Sequence, residues 1–203
     1  GLNNYFVLCA HKTMPTPMAA LTSDPELQVD GYICPAHVSA VIGSNAYQPL
    51  ADQFKVPCVV TGFEPLDMLR GVQMLAQQVL QGRAEVENEY QRIVKPEGNR
   101  KAQALLSEVF ESCDTAWRGI GVIPGSGLKI RAEYAEVDAE VQLPVEVEEP
   151  KEHKGCLCGE ILKGKVTPKD CPLFRKACTP ENPIGACMVS SEGTCAAEYK
   201  YGC

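Results

Sequence analysis

The sequence has no long hydrophobic run. Nowhere do its 203 residues approach the roughly 18 to 20 consecutive apolar positions that a membrane-spanning helix needs. Gly1 to Tyr5 carries no basic segment ahead of an apolar one, so neither a membrane span nor an export signal is expected. Positive charge is also scarce: 19 Lys and Arg stand against 26 Asp and Glu, a formal net charge of −7. Phosphate binding needs a basic face, so nucleic-acid and anionic-membrane partners are disfavoured. No strand-like segment is followed by Gly-x-Gly-x-x-Gly or by a Walker-type Gly-Lys-Ser/Thr loop, which removes the usual cradles for a dinucleotide or a nucleotide. No Gly-x-Ser-x-Gly elbow follows a strand either. Gly125-Ser126-Gly127 is only a fragment of one, so a Ser/His/Asp hydrolase is not expected. Internal repeats and low-complexity tracts are absent.

What is present is the composition of a globular chain, 45% hydrophobic and 22% charged, long enough for one large domain or two small ones. The cysteines are unevenly spread. Cys9, Cys34, Cys58 and Cys113 are scattered over the first 150 residues, whereas Cys156, Cys158, Cys171, Cys178, Cys187, Cys195 and Cys203 crowd into the tail. Charge divides at the same place: residues 151–203 hold eight Lys/Arg against six acids, a net +2, so residues 1–150 carry −9. The expected organisation is an α/β domain over 1–95, a helix, extended segment and acidic linker over 96–150, and a cysteine-rich domain over 151–203.

Tyr5-Phe6-Val7-Leu8-Cys9 is an uninterrupted apolar run of the kind a doubly buried parallel strand requires. Gly31 to Cys34 and Val56 to Val60 read as two further strands. Between them, Pro15 and Pro17 open a short helix, and Val38 to Ile42 and Pro49 to Phe54 read as two more. A longer helix beginning near Leu66 carries apolar residues at Leu66, Leu69, Val72, Leu75, Val79 and Leu80 and stops at Gly82. Strand, loop and helix in repetition predict a Rossmann-like parallel sheet with crossover helices. A further helix is expected over Lys101 to Cys113 and an extended segment over Gly119 to Ile130. Glu133 to Glu149 holds seven acids and no base, which predicts a solvated linker or edge.

Ligands of an open parallel sheet gather beyond the carboxyl ends of its strands. Three loops there carry polar chemistry: Ala10-His11-Lys12, Cys34-Pro35-Ala36-His37 and Gly62-Phe63-Glu64-Pro65-Leu66-Asp67. Convergence of His11, Cys34, His37, Glu64 and Asp67 on one rim would give a cluster able to ligate a metal or move a proton. The plainer reading is that Glu64 or Asp67 caps a helix and His37 satisfies a loop carbonyl.

In the tail, a disulfide scaffold conflicts with the cytosolic look of the preceding domain. Structural zinc favours two closely spaced Cys pairs, and the tail offers only Cys156-Leu157-Cys158. A [4Fe–4S] cluster accepts thiolates from wider loops, for which Pro172, Pro180, Pro183, Gly185 and Gly193 supply turns. Six cysteines for four positions leave two over, enough for a redox-active dithiol beside the cluster.

These residues resemble a known family. Ala10-His11-Lys12, Cys34-Pro35-Ala36-His37-Val38-Ser39, Gly62-Phe63-Glu64-Pro65-Leu66-Asp67, Cys156-Leu157-Cys158-Gly159-Glu160, Asp170-Cys171-Pro172-Leu173-Phe174, Cys178-Thr179-Pro180 and the stretch from Gly185 to Cys195 are similar to HypD, the [NiFe]-hydrogenase maturation family. That family's chain is longer, and its N-terminal motifs have no counterpart here. The resemblance implies a cytoplasmic scaffold with a [4Fe–4S] cluster in its tail. With a HypC-type chaperone it holds an iron that receives cyanide, from a HypE-type donor, and carbon monoxide, giving an Fe(CN)2CO group for the hydrogenase large subunit. Cys34, His37, Glu64 and Asp67 become its site candidates. Among possible cluster ligands Cys171, Cys178 and Cys187 rank first, with Cys156, Cys158 and Cys195 competing for the fourth place. Releasing cyanide from a thiocyanate-bearing cysteine is formally reductive, which gives a low-potential cluster a purpose. Ala36 stands where the family has glycine, and a positive φ there would be costly. The competing classes are an iron–sulfur disulfide reductase of the ferredoxin-thioredoxin-reductase type and a purely structural iron–sulfur domain.

Overall fold

A computed structural model describes residues 4–143, 145–146 and 153–202. A three-stranded parallel sheet is built from β1 (Tyr32–Pro35), β2 (Cys58–Thr61) and β3 (Val86–Asn88), in that spatial order. Cys34 lies opposite Val60, and Val60 opposite Asn88. The central strand reads Cys-Val-Val-Thr and is buried throughout, as a strand covered on both faces must be. The β1 to β2 crossover contains α2 (Ala36–Ile42), a 3-10 turn at Ser44–Tyr47 and α3 (Gln48–Phe54), while α4 (Pro65–Gln81) connects β2 to β3. Pro65 fits the first turn of α4, where a missing N–H costs nothing, and Gly82 ends it at φ 62°. One core joins Met18 of α1 (Pro15–Thr22) with Cys34, Ala36, Tyr47, Leu50, Cys58, Val60 and Val94.

Beyond the sheet, α5 (Arg100–Val109) starts at Asn99, whose side chain accepts from Ala102 N–H at 3.1 Å, a helix cap of the usual kind. It runs directly into an antiparallel hairpin, β4 (Phe110–Trp117) and β5 (Gly121–Ile130). After α6 (Ala139–Gln142), the tail wraps α7 (Cys158–Leu162), α8 (Ala186–Val189) and α9 (Thr194–Tyr201) around a second core that contains five of its cysteines. The architecture is thus mixed α/β, with the mixed parallel and helical part preceding a cysteine-rich part.

Several expectations are corrected. Tyr5 to Cys9 is not a strand of the parallel sheet: Val7 bridges Asp138, Lys12 bridges Gly127 on the edge of β5, and Leu8 is 73% exposed. An apolar run alone does not say which surface it lies on. The third strand is instead Val86–Asn88, too short and too acidic in its flanks to be read from periodicity. The expected helix to Cys113 stops at Val109, because Phe110 begins the hairpin. The acidic stretch is not all linker: Ala132–Val137 forms a 3-10 turn and Asp138 caps α6 by accepting from Glu140 N–H at 3.0 Å. Residues 144 and 147–149 of that expected linker lie outside the described residues, as does Cys203.

Most of the apolar stripe of α4 lies on the other side from the sheet, only Leu75 of it turning half-buried toward Gly31. Leu66, Leu69, Val72, Val79 and Leu80 are exposed, while Asp67, Gly71 and Gln78 are buried. Gln78 is sealed because both ends of its amide are used: Nε2 donates to Glu87 at 2.6 Å and Oε1 accepts from Glu85 N–H at 2.8 Å. A buried amide is tolerated when its bonds are made. Among the described residues no helix is long and apolar enough to cross a membrane.

Candidate functional site

The three loops do not form one cluster. Cys34 points inward, fully buried beside Cys58 of the neighbouring strand. Its thiol donates to Cys58, and this bond together with burial keeps its proton far above the ordinary thiol range. It is therefore a neutral core thiol. Ala36 is the first residue of α2 and has no positive φ, so the glycine of the family pattern is not needed for the backbone here; its methyl is buried in the core.

His37, one residue on, faces out. Its ring stacks at a tilt on Phe63, with centroids 4.8 Å apart. His37 and His11 line a common open groove of about 990 Å³, with α2 and α5 on one side and the hairpin on the other. His11 is set by backbone pairing, since Leu128 N–H donates to its carbonyl at 3.0 Å, and its imidazole sits 3.3 Å from Cys9 Sγ and edge-on to Phe110. The groove thus brings the two histidines together through the chain crossing from β1 to α2 and the segment paired to β5.

Glu64 and Asp67 belong to a different group. Arg92, from the loop after β3, donates to both oxygens of Asp67 at 2.5 and 3.1 Å and reaches Glu64 at 3.3 Å. Its guanidinium stacks on Tyr90 at 3.9 Å. Asp67 is closed in, its side chain 7% exposed, whereas the Glu64 side chain is 61% exposed. Arg92, then Glu64, hold the Asp67 carboxyl below its ordinary range. Glu64 occupies the N-cap position of α4 without a side-chain capping bond. Sequence reasoning missed Arg92, for it belongs to no motif and is recruited only when β3 pairs with β2.

The tail concentrates thiols. Cys156, Cys158, Cys171, Cys178, Cys187 and Cys195 all line one small apolar cavity with Ile161, Leu173 and Phe174. Cys158 donates to Cys187 at 2.9 Å, which pushes the Cys158 thiol upward, and Cys187 lies 3.1 Å from Cys195. Backbone donors point at sulfur as well: Ile184 N–H to Cys178 at 3.3 Å and Cys187 N–H to Cys158 at 3.2 Å. A Cβ on Gly185 would lie 2.6 Å from Cys156 Sγ, so only glycine lets that backbone approach the sulfur. Among the described residues no three His, Cys, Asp or Glu side chains surround a single point as ligands of one ion. Cys187 instead contacts both Cys158 and Cys195. A ring of thiols with inward N–H groups, closed by apolar side chains, fits a sulfide-bridged cluster, whose sulfurs take such hydrogen bonds.

Comparison with known proteins covers the whole chain. The HypD family model, described as the hydrogenase formation hypA family, matches residues 1–202. The hydrogenase expression/formation protein HupD of Azotobacter chroococcum mcd 1 is 50% identical over 208 residues, which takes in 100% of this chain and 55% of that protein. The hydrogenase maturation factor HypD of Azotobacter vinelandii is 50% identical with the same coverage, and that of Cupriavidus necator 47% identical over 99% of this chain and 55% of its own. The chain therefore spans about 55% of the length of these relatives. Their names give no support to the disulfide-reductase alternative. With its tail motifs, its parallel sheet and this similarity from end to end, the chain belongs to the HypD family of hydrogenase maturation factors.

Proposed function

We propose that the chain is the part of a cytoplasmic hydrogenase maturation scaffold that supplies reducing equivalents while an Fe(CN)2CO cargo is assembled. A HypC-type chaperone and a HypE-type cyanide donor would be its partners, and the hydrogenase large subunit would receive the product. The observation that carries the reading is the convergence of six thiols on one cavity, with Cys158 and Cys187 2.9 Å apart. Those two are the closest sulfurs and share a second bond, from Cys187 N–H to Cys158 at 3.2 Å. They make the best dithiol, which leaves Cys156, Cys171, Cys178 and Cys195 to hold a [4Fe–4S] cluster in place of the set ranked first from sequence. When bound, such a cluster supplies single electrons at low potential.

Electron counting supports the assignment. Splitting a thiocyanate into thiolate and cyanide takes two electrons, and closing a Cys158–Cys187 disulfide releases two electrons and two protons. His37, exposed on the groove, offers an imidazole able to give or take a proton there. Glu64, largely exposed though ion-paired with Arg92 at 3.3 Å, places a carboxylate at the carboxyl end of the adjacent strand. The test uses full-length protein prepared without oxygen and co-purified with its partner. Four irons and four sulfides per chain, together with infrared bands of iron-bound cyanide and carbon monoxide, are expected. Zinc in place of iron and sulfide would sink the cluster, and cluster-loaded protein that never shows those bands would sink the scaffold.

A further inference from the structure

We propose that the cavity between the β4–β5 turn and the cysteine-rich tail is the port through which a small anionic thiol reduces the Cys158–Cys187 pair, attacking at Cys158. This deepens the function proposed above and rests on its reading of those two cysteines as a dithiol.

The cavity measures about 210 Å³ and is bounded by Arg118, His153, Cys156, Cys158, Glu160 and Gly185, among others. That is space for a small molecule and not for a folded partner. Cys158 lines both this cavity and the inner thiol cavity, whereas Cys187 lines only the inner one. Of the pair, only Cys158 borders the outer cavity.

Charge selects the reagent. Arg118 anchors the turn to the tail by donating to Ile184 O, and its guanidinium is a cation. The acid on the wall, Glu160, is paired with Lys165 at 2.6 Å. His153 accepts from Gly155 N–H through Nδ1 at 3.1 Å, so its neutral form carries the proton on Nε2. Lys165, shared between Glu160 and Glu26, offsets the acid of the wall, and Arg118 places a positive charge beside the cavity in a chain of net charge −7, which favours anions there.

The chemistry balances. A thiolate RS⁻ attacks Cys158 sulfur, the Cys158–Cys187 bond breaks, and Cys187 leaves as thiolate. A second RS⁻ then displaces Cys158, giving RSSR, so two electrons pass from the thiols to the pair and two protons are taken up from solvent. The order of attack follows from access, since a thiol exchange rate depends on which sulfur can be reached.

The test uses full-length, cluster-loaded protein in which the pair has been oxidised. Reduction rates are compared for mercaptoethanesulfonate, mercaptoethanol and cysteamine, which are anionic, neutral and cationic. The ratio of anionic to neutral rates should fall roughly five-fold in Arg118→Met, recover in Arg118→Lys, and decline with added salt. An unchanged ratio in Arg118→Met with wild-type iron and sulfide overturns the port. If that variant loses its cluster, a ratio in the native protein that ignores ionic strength overturns it instead. In Cys187→Ser, the anionic reagent dithiobis(nitrobenzoate) should give an adduct on Cys158 by mass spectrometry; absence of an adduct at Cys158 rejects the order of attack. Failure to form any Cys158–Cys187 disulfide defeats the underlying functional reading, whereas a disulfide reduced without regard to charge defeats the port alone.

Discussion

Arg92 holds Asp67 at two points, 2.5 and 3.1 Å, and so ties the first turn of α4 to the loop that follows the edge strand β3. The Asp67 carboxyl is held below its unfolded value of about 3.9, first by Arg92. A carboxylate depressed on folding contributes stability above its unfolded pKa, and that contribution is lost as pH falls through the folded value. Asp67→Asn should therefore destabilise the protein at neutral pH, with the deficit shrinking once pH drops below about 4. Denaturant unfolding of both proteins across that range checks it. A deficit that stays constant in acid would mean that Asp67 acts through shape and not through charge.

The tail assignment separates six otherwise similar serine variants. Cys158→Ser and Cys187→Ser should keep iron and sulfide near wild-type content while losing the reversible two-electron oxidation. Cys156→Ser, Cys171→Ser, Cys178→Ser and Cys195→Ser should each lose iron and sulfide. Metal and sulfide analysis with electron paramagnetic resonance reads the first property, and thiol counting the second. Loss of the cluster in Cys158→Ser with retention in Cys156→Ser would reverse the roles within that pair.

His37 in the first turn of α2 and Glu64 at the N-cap of α4 are both exposed, at the carboxyl ends of adjacent strands. Substitutions at such positions cost within about 1 kcal/mol of stability. In the complete protein, His37→Ala and Glu64→Gln should preserve folding and cluster content while hydrogenase maturation falls sharply. Unfolding or cluster loss in either variant, with the surviving protein maturing hydrogenase normally, would make that residue structural.

Much of this arrangement was legible in the sequence, and the remainder was lost for definable reasons. Punctuation carried the crossover helices: Pro65 opens α4 and Gly82 closes it, and both strands flanking Tyr47 were visible as short apolar runs. The thiol tail was legible because seven of the eleven cysteines crowd into residues 151–203. Sidedness was not. The stripe from Leu66 to Leu80 predicts an inward face, yet apart from Leu75 the sheet is met by Asp67, Gly71 and Gln78, because Gln78 satisfies the backbone of Glu85 and the side chain of Glu87 beside the edge strand. Such pairing depends on β3, whose three residues give no periodic signal. Arg92 and the inward turn of Cys34 follow from the same tertiary contacts.

Gly71 tests that inverted packing. An exposed helical glycine changed to alanine normally gains roughly 0.5 to 1 kcal/mol from reduced backbone entropy. Gly71, however, is buried on the face of α4 that meets β2, and a Cβ there would overlap Thr61 Cγ2. Thr61 has little freedom to yield: it is 2% exposed, and its hydroxyl donates to Gly62 O at 3.0 Å. Relief would require α4 to move off the sheet, which would also loosen Gln78 from Glu87 and Asp67 from Arg92. Overpacking of a close contact costs about 1 to 3 kcal/mol, which outweighs the propensity gain, so Gly71→Ala should be net destabilising. Gly82→Ala makes a useful control, because nothing lies within 4 Å of its Cβ position and its cost is only that of a residue at φ 62°. Thr61→Ser removes the obstructing methyl and should restore stability to Gly71→Ala in the double variant. A neutral or stabilised Gly71→Ala would show that α4 presents its apolar stripe, and not this face, to the sheet.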